Sequence, residues 1–389
     1  MTASFTLLDR ILGRRPAKAA APEAVKPPRP DPDFYYDPTQ GPGIGPGGKH
    51  VGESGPRIAT EAWRELHPLL GGERIDFDAV RALLAARAGQ WDHHAYAVKF
   101  FDYLEKAEEH DDLGLDLGML RLKRYMGAVL KAGRMRTACR VARAMDERWP
   151  GKGGKTIGAL LHAPDAPAAS ELMDRPWVDI QIVDKKAPAT LILFTGVGHN
   201  FGFPLNLLHL WLGRLDANIV YLCDFNMALF QMGLMSVGPY AETVAYLRDL
   251  SRSLGQRTVL AGHSGGVFGA LTMARDIPAD AVLAFSGPAT LELGLATKED
   301  RPFYANVLAL LESGAMTMPD LRADYKRNGI RVEYLFGAQN GFDSKQANAL
   351  AGLPNVTLRP VEGVSRHTVL PELIADGTLT DVFADVLKG

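Results

Sequence analysis

The chain has 389 residues, 47% of them hydrophobic and 23% charged, with a net charge of −2. That length leaves room for about two domains with proper cores, and the near-neutral balance gives no electrostatic case for a nucleic-acid partner. The two cysteines, Cys139 and Cys223, exclude a disulfide scaffold. They read as buried thiols in a reducing compartment, and neither has a Cys or His partner at metal-ligand spacing.

No secretory signal and no run of ~18 uncharged apolar residues is visible, so no transmembrane segment is expected. Phe5, Leu7, Leu8, Ile11 and Leu12 precede Arg14-Arg15. This segment fits a short amphipathic helix, either touching a membrane surface or docking as a loosely held terminus. The expected location is cytoplasmic, with peripheral membrane contact through this segment as the second option.

Residues 1–56 read as a disordered Pro/Gly-rich tail. Proline is dense from Pro16 to Pro38 and glycine from Gly41 to Gly48, and such a stretch buries too little apolar surface to order itself. Gly48 is followed by Lys49-His50, so the glycine run lacks the ending of a phosphate loop.

Residues 57–150 read as a small all-α domain. Leu66, Leu69, Leu70, then Val80, Leu83, Leu84, then Phe100, Phe101, Leu104 recur at helical offsets. The clearest helix pair spans Leu117 to Trp149, with a turn at Gly133, a small-residue face at Ala138 and Ala142, and a stop at Pro150. These positions weakly resemble one tetratricopeptide-type repeat of ~34 residues. A domain of this kind makes a protein partner the natural second expectation.

From residue 177 to 389 short β-rich runs alternate with helical stretches. The runs are Val178–Val183, Ala189–Phe194, Ile219–Cys223, Thr258–Ala261, Ala281–Phe285, Val332–Phe336 and Val356–Val361. Near-continuous apolar strands alternating with helices predict a mainly parallel, doubly wound α/β sheet, with the more alternating first run at an edge.

Thr258-Val259-Leu260-Ala261 leads into Gly262-His263-Ser264-Gly265-Gly266 and then into the helical Val267 to Arg275. Strand, Gly-x-Ser-x-Gly, helix is the context in which a serine is presented on a strained turn, and small neighbours avoid clashes there. On these residues the C-terminal half resembles the α/β-hydrolase superfamily. The resemblance implies a Ser264 nucleophile, an acid and a histidine in that chain order, and no metal or organic cofactor.

His367 is the only histidine after Ser264 and is the expected base. The acid is expected in the loop Gly337 to Ser344. Asn340 falls about where relatives carry the acid but cannot hold the charge, so Asp343 is the candidate, with Glu292 as runner-up. Asp343 also suits a helix N-cap. The backbone N–H of Gly265 and that of Val197 or Gly198, in the loop Thr195 to Gly202, are the expected oxyanion donors. His199, Asn200 and His263 are expected to line the substrate pocket. Asp224, at the carboxyl end of a strand, either contacts a polar substrate or caps a turn. Helices in residues 287–330 occupy the place of a lid. Met227, Met232, Met235, Phe225 and Phe230 read mainly as core, with some framing the pocket.

The expected activity is hydrolysis of a carboxylic ester or thioester, carried on a small molecule or a glycan, through a Ser-His-Asp triad and an acyl-enzyme. Acyl transfer uses the same residues. The reading from another class is a non-catalytic protein-binding module.

Overall fold

The seven β-rich runs become seven strands of one sheet. A computed structural model describes residues 44–45, 49–50, 62, 65–70, 73–91, 94–109, 118–172, 179–296 and 304–389. The strands are β1 Ile180–Val183, β2 Ala189–Phe194, β3 Asn218–Leu222, β4 Arg257–His263, β5 Ala281–Phe285, β6 Arg331–Gly337 and β7 Val356–Val361. Their spatial order is β1-β3-β2-β4-β5-β6-β7. β1 runs antiparallel to β3, with Ile180 opposite Leu222, and all other pairs are parallel.

Both faces of the sheet are covered, which is why the inner strands carry no polar alternation. Successive side chains point to opposite faces. Leu191, Leu193, Leu283 and Phe285 join one core with α6 (Leu205–Leu212) and the C-terminal α14 (Leu379–Lys388). Ile192, Phe194, Val282 and Ala284 join the other, with α7 (Tyr240–Leu254) and α8 (Gly265–Met273). Strands β2, β3 and β5 are buried along their whole length, whereas the edge strands β1 and β7 are partly exposed.

The chain order reverses between β2 and β4. It steps from β2 outward to β3, then returns to pair β4 with the other side of β2. In open α/β sheets that switch point is where ligands bind, beyond the carboxyl ends of the strands. Here those ends release the loop from Thr195 and the turn at Ser264.

The N-terminal helices are α1 Phe77–Ala86, α2 His94–Glu109, α3 Met119–Lys131, α4 Met135–Arg148 and α5 Gly154–Leu161. Asp76 caps α1 by accepting the Ala79 N–H at 2.9 Å. The expected α3–α4 pair is present, with Gly133 at φ 69° in its turn and Ala138 and Ala142 buried. Helix α5 continues the helical run past residue 150 and packs on α13 (Leu370–Ala375). One apolar cluster extends from Leu66, Phe101 and Val129 through Ile157 to Leu205 and Phe383. The expected amphipathic segment at residues 5–15 lies outside the described residues. So does most of the expected tail, of which Ile44–Gly45 and Lys49–His50 pair antiparallel. Cys139 and Cys223 are buried and form no disulfide. Among the described residues no helix is long and apolar enough to cross a membrane.

Arg134 ties the helical part together. It is 2% exposed and donates to Glu108 at 3.0 Å, to the Leu70 carbonyl at 3.1 Å and to the Glu73 carbonyl at 2.8 Å. Removing one partner of a buried ion pair leaves the other uncompensated. Arg134→Met is expected to destabilise the chain by about 3 kcal/mol. Urea denaturation followed by far-UV circular dichroism measures it, and a loss under 1 kcal/mol contradicts this assignment.

Candidate active site

Ser264 sits between the end of β4 and the start of α8, at φ 51° and ψ −128°. A non-glycine residue there is strained by roughly 1–3 kcal/mol and persists only when its surroundings enforce it. Two close approaches do so. A Cβ on Gly266 would lie 2.0 Å from the Phe194 carbonyl oxygen, and one on Gly262 2.5 Å from the Gly266 carbonyl oxygen. Only glycine lets the turn press this tightly onto β2. The Ser264 N–H donates to the Phe285 carbonyl at 3.0 Å, which fixes the turn to β5 as well.

His367 reaches this serine from the loop after β7. Its Nε2 lies 2.8 Å from Ser264 Oγ and its Nδ1 2.8 Å from Asp343 Oδ1. A carboxylate only accepts, so the Nδ1 proton points to Asp343 and Nε2 accepts from the serine hydroxyl. The His367 side chain is 47% exposed, while that of Asp343 is fully buried. Asn340, not Asp343, is the N-cap of α12 (Gly341–Asn348). Its Oδ1 accepts the N–H groups of Phe342 at 3.1 Å and Asp343 at 3.0 Å. The amide therefore holds the loop, and the carboxylate one turn in is free for the histidine. Glu292, in α9 (Leu291–Ala296), is exposed and takes no part in this contact.

A small pocket opens beside the serine turn. Gly196, Val197 and Gly265 form one wall. A Cβ built on Gly265 would lie 3.8 Å from the Val197 nitrogen, so the two backbone segments face each other closely. First-turn amides have no intrahelical partner, and the Gly265 N–H at the start of α8 is such a group. Val197, rather than Gly198, is the loop residue at the pocket. Gly198 is exposed, and its carbonyl accepts from Asn200 Nδ2 at 3.1 Å.

Three residues expected to line the pocket do not line it. His199 is 5% exposed, with Nε2 3.1 Å from the Asp224 carbonyl oxygen and its ring 4.7 Å from that of Phe225. Asn200 is turned onto Gly198. His263 lies beneath the turn, with Nε2 3.3 Å from Thr368 Oγ1 and its ring 5.6 Å from Phe201. Burial, then the charges of His367 and Lys155, push its pKa down to about 3, so it stays neutral. His199 and His263 fold inward onto buried partners, whereas Asn200 bonds within its own loop. Among the described residues no cluster of His, Cys, Asp and Glu is arranged to hold a metal.

Asp224 does line the pocket, together with Thr195 and the apolar Met227, Leu229 and Phe230. It is also a cap. Its Oδ2 accepts the N–H groups of Ala228 and Phe230, each at 2.8 Å. Both alternatives open for this residue are therefore compatible with its position.

Sequence reasoning missed Thr195 in the pocket and Lys155 behind it. Lys155, at the start of α5, donates to the Gly202 carbonyl at 2.8 Å, across 47 residues of chain. No local pattern announces such a contact.

Neither a protein-family model nor a curated protein sequence matches the chain. Solved structures similar to it include a puromycin-hydrolyzing peptidase of Mycobacterium tuberculosis (15% identity, TM-score 0.39, 52% of this chain and 34% of that one). Others are a carboxylesterase of Nitrososphaera gargenis (16%, 0.38, 54% and 94%) and MenH of S. aureus (12%, 0.36, 54% and 98%). The chain thus spans about a third of the length of the first.

Burial raises the pKa of Asp224 to about 6, against the pull of the Phe230, Ala228 and Asn226 amides and with a small push from Asp179. The folded state thus favours the neutral acid. The stability this group contributes is full below 3.8, its ordinary value, and is lost as pH rises through about 6. Asp224→Asn keeps an oxygen for the two amides and removes the charge. It is expected to stabilise the protein at pH 7.5 by up to about 3 kcal/mol, and by nothing at pH 3.5. Urea denaturation at the two pH values checks this.

A seven-stranded sheet in the order β1-β3-β2-β4-β5-β6-β7, with an antiparallel first strand and a serine elbow at the end of β4, is the α/β-hydrolase fold.

Proposed function

We propose that the chain is a serine hydrolase acting on a small carboxylic ester or thioester through an acyl-enzyme. The observation that carries this reading is the unbroken pair of 2.8 Å contacts from Ser264 through His367 to Asp343.

Ser264 Oγ attacks the carbonyl carbon as its proton passes to His367 Nε2. The carbonyl electron pair moves onto oxygen, where the Val197 and Gly265 N–H groups receive the negative charge. Asp343 accepts from Nδ1–H, which orients the ring and stabilises the imidazolium. The tetrahedral adduct collapses by expelling the alcohol or thiol, and His367 returns the proton to it. Water then attacks the acyl-enzyme, giving one proton to His367. Ser264 Oγ leaves and takes that proton back, and the acid is released.

Three variants test these roles with short p-nitrophenyl esters. Ser264→Ala is expected to abolish labelling by a fluorophosphonate probe and to lower kcat by at least about 1000-fold. Asp343→Asn is expected to lower kcat by about 10³–10⁴-fold, because the amide favours the wrong imidazole tautomer. Asn340→Ala removes only a helix cap of about 1 kcal/mol and is expected to cost less than tenfold in kcat/KM. Well-folded protein that neither labels nor turns over any ester defeats the reading. A larger loss in Asn340→Ala than in Asp343→Asn reassigns the acid.

A further inference from the structure

The pocket beside Ser264 has apolar sides and a polar floor. The floor is made by Thr195, 1% exposed, and Asp224, 6% exposed. Thr195 Oγ1 and Asp224 Oδ1 are both buried and make no hydrogen bond among the described residues. Leaving a buried carboxylate oxygen without a partner is unfavourable.

The segment around Asp224 is itself strained. Met227, Leu229 and Phe230 take φ values of 50°, 53° and 65°, in the left-handed region that non-glycine residues avoid. This backbone brings the Ala228 and Phe230 amides onto Asp224 Oδ2. Capping accounts for that oxygen alone. A neutral side chain with one acceptor oxygen would cap as well, with no buried charge. The second oxygen is what the carboxylate adds, and Asp224 lines the pocket together with Val197 and Gly265.

We infer that this floor binds a hydrogen-bond-donating group on a short acyl chain, an ammonium or a hydroxyl, held by Asp224 Oδ1 and Thr195 Oγ1. The inference rests on the serine hydrolase reading. An ammonium answers the charge and offers donors to both oxygens, and a hydroxyl offers one donor while accepting from the threonine. The enclosed part of the pocket has only water-sized room, which limits what enters it to a small group. A plain aliphatic chain of the same length would leave both oxygens buried and unpaired, and sites of that kind discriminate strongly against analogues lacking the donor.

The test uses the full chain and sets of isosteric p-nitrophenyl esters. β-Alanyl and 3-hydroxypropionyl esters are compared with butyryl, and alanyl and lactyl esters with isobutyryl. The expected result is a kcat/KM at least tenfold higher for a donor-bearing ester than for its methyl isostere. The ammonium and hydroxyl members show which donor the site takes. In Asp224→Asn, whose amide nitrogen turns the free acceptor into a donor, that ratio is expected to fall to about one or below. In Thr195→Val it is expected to fall several-fold. The valine variant also stands alone should the asparagine variant fail to fold. A ratio at or below one for every set in the unaltered protein overturns the inference, as does a ratio unchanged in both variants. Turnover of butyryl ester with fluorophosphonate labelling of Ser264 then leaves the serine hydrolase reading standing. No labelling and no turnover of any ester overturns both.

Discussion

The site depends on one strained residue. Ser264 holds φ 51° because three parallel strands end together around it. β2 contributes the Phe194 carbonyl against Gly266, β4 contributes Gly262, and β5 supplies the Phe285 carbonyl that takes the Ser264 N–H. A Cβ on Gly287, just past β5, would lie 2.1 Å from the Ser264 carbonyl oxygen, so that side is closed as well. The strain lifts Oγ to the apex of the turn. It also makes Gly265 the first residue of α8, so that its amide faces outward. The proposed nucleophile and oxyanion donor thus come from a single backbone conformation.

The helical part is joined to this machinery rather than appended to it. Lys155 in α5 holds the Gly202 carbonyl, at the far end of the loop that begins with Thr195. Burial, with the charge of Arg366 beside it, lowers the Lys155 pKa, as expected of an ammonium enclosed between elements. Glu171, in the segment leading to the sheet, contacts His209 of α6 at 2.6 Å, and His209 in turn meets Tyr221 of β3 at 2.7 Å. Together with the shared apolar cluster, these contacts fix the helices to the face of the sheet that carries α6 and α14. Movement of α5 would therefore be felt at Gly202 and, through it, in the loop that begins with Thr195.

Much of this was legible in the sequence, and the reason is local. A strand buried on both faces must be apolar throughout, so Ala189–Phe194 and Ala281–Phe285 stand out with their observed bounds. The serine turn needs small residues at fixed offsets, and Gly262 and Gly266 supply them. His367 followed from chain order once the fold was expected. Asp343 was harder, because a loop with both Asn340 and Asp343 presents two capping residues. Only the structure shows which of them faces the helix amides and which faces the imidazole. His199, Asn200 and His263 were misplaced for a related reason. Position beside a motif does not determine whether a side chain folds outward or into the sheet end. Lys155 and the free oxygens of Thr195 and Asp224 left no trace in the sequence, since each depends on what tertiary packing brings, or fails to bring, within reach.

The two buried aspartates flanking the site show how one residue type serves two ends. Asp343 is fully buried, and its Oδ1 meets His367 Nδ1 at 2.8 Å. In the proposed reaction an imidazolium at His367 would form a full ion pair with Asp343, and burial of Asp343 would favour that step. Asp224 is nearly as buried, but its partners are backbone amides, and its pKa rises to about 6. Near neutral pH its charge therefore stands against the stability of the fold, as does the left-handed backbone of Met227, Leu229 and Phe230 around it. Stability alone gives no reason for either feature. Residues that lower stability beside the proposed nucleophile are where binding energy is to be sought, because strain and unmet polar groups concentrate at functional sites.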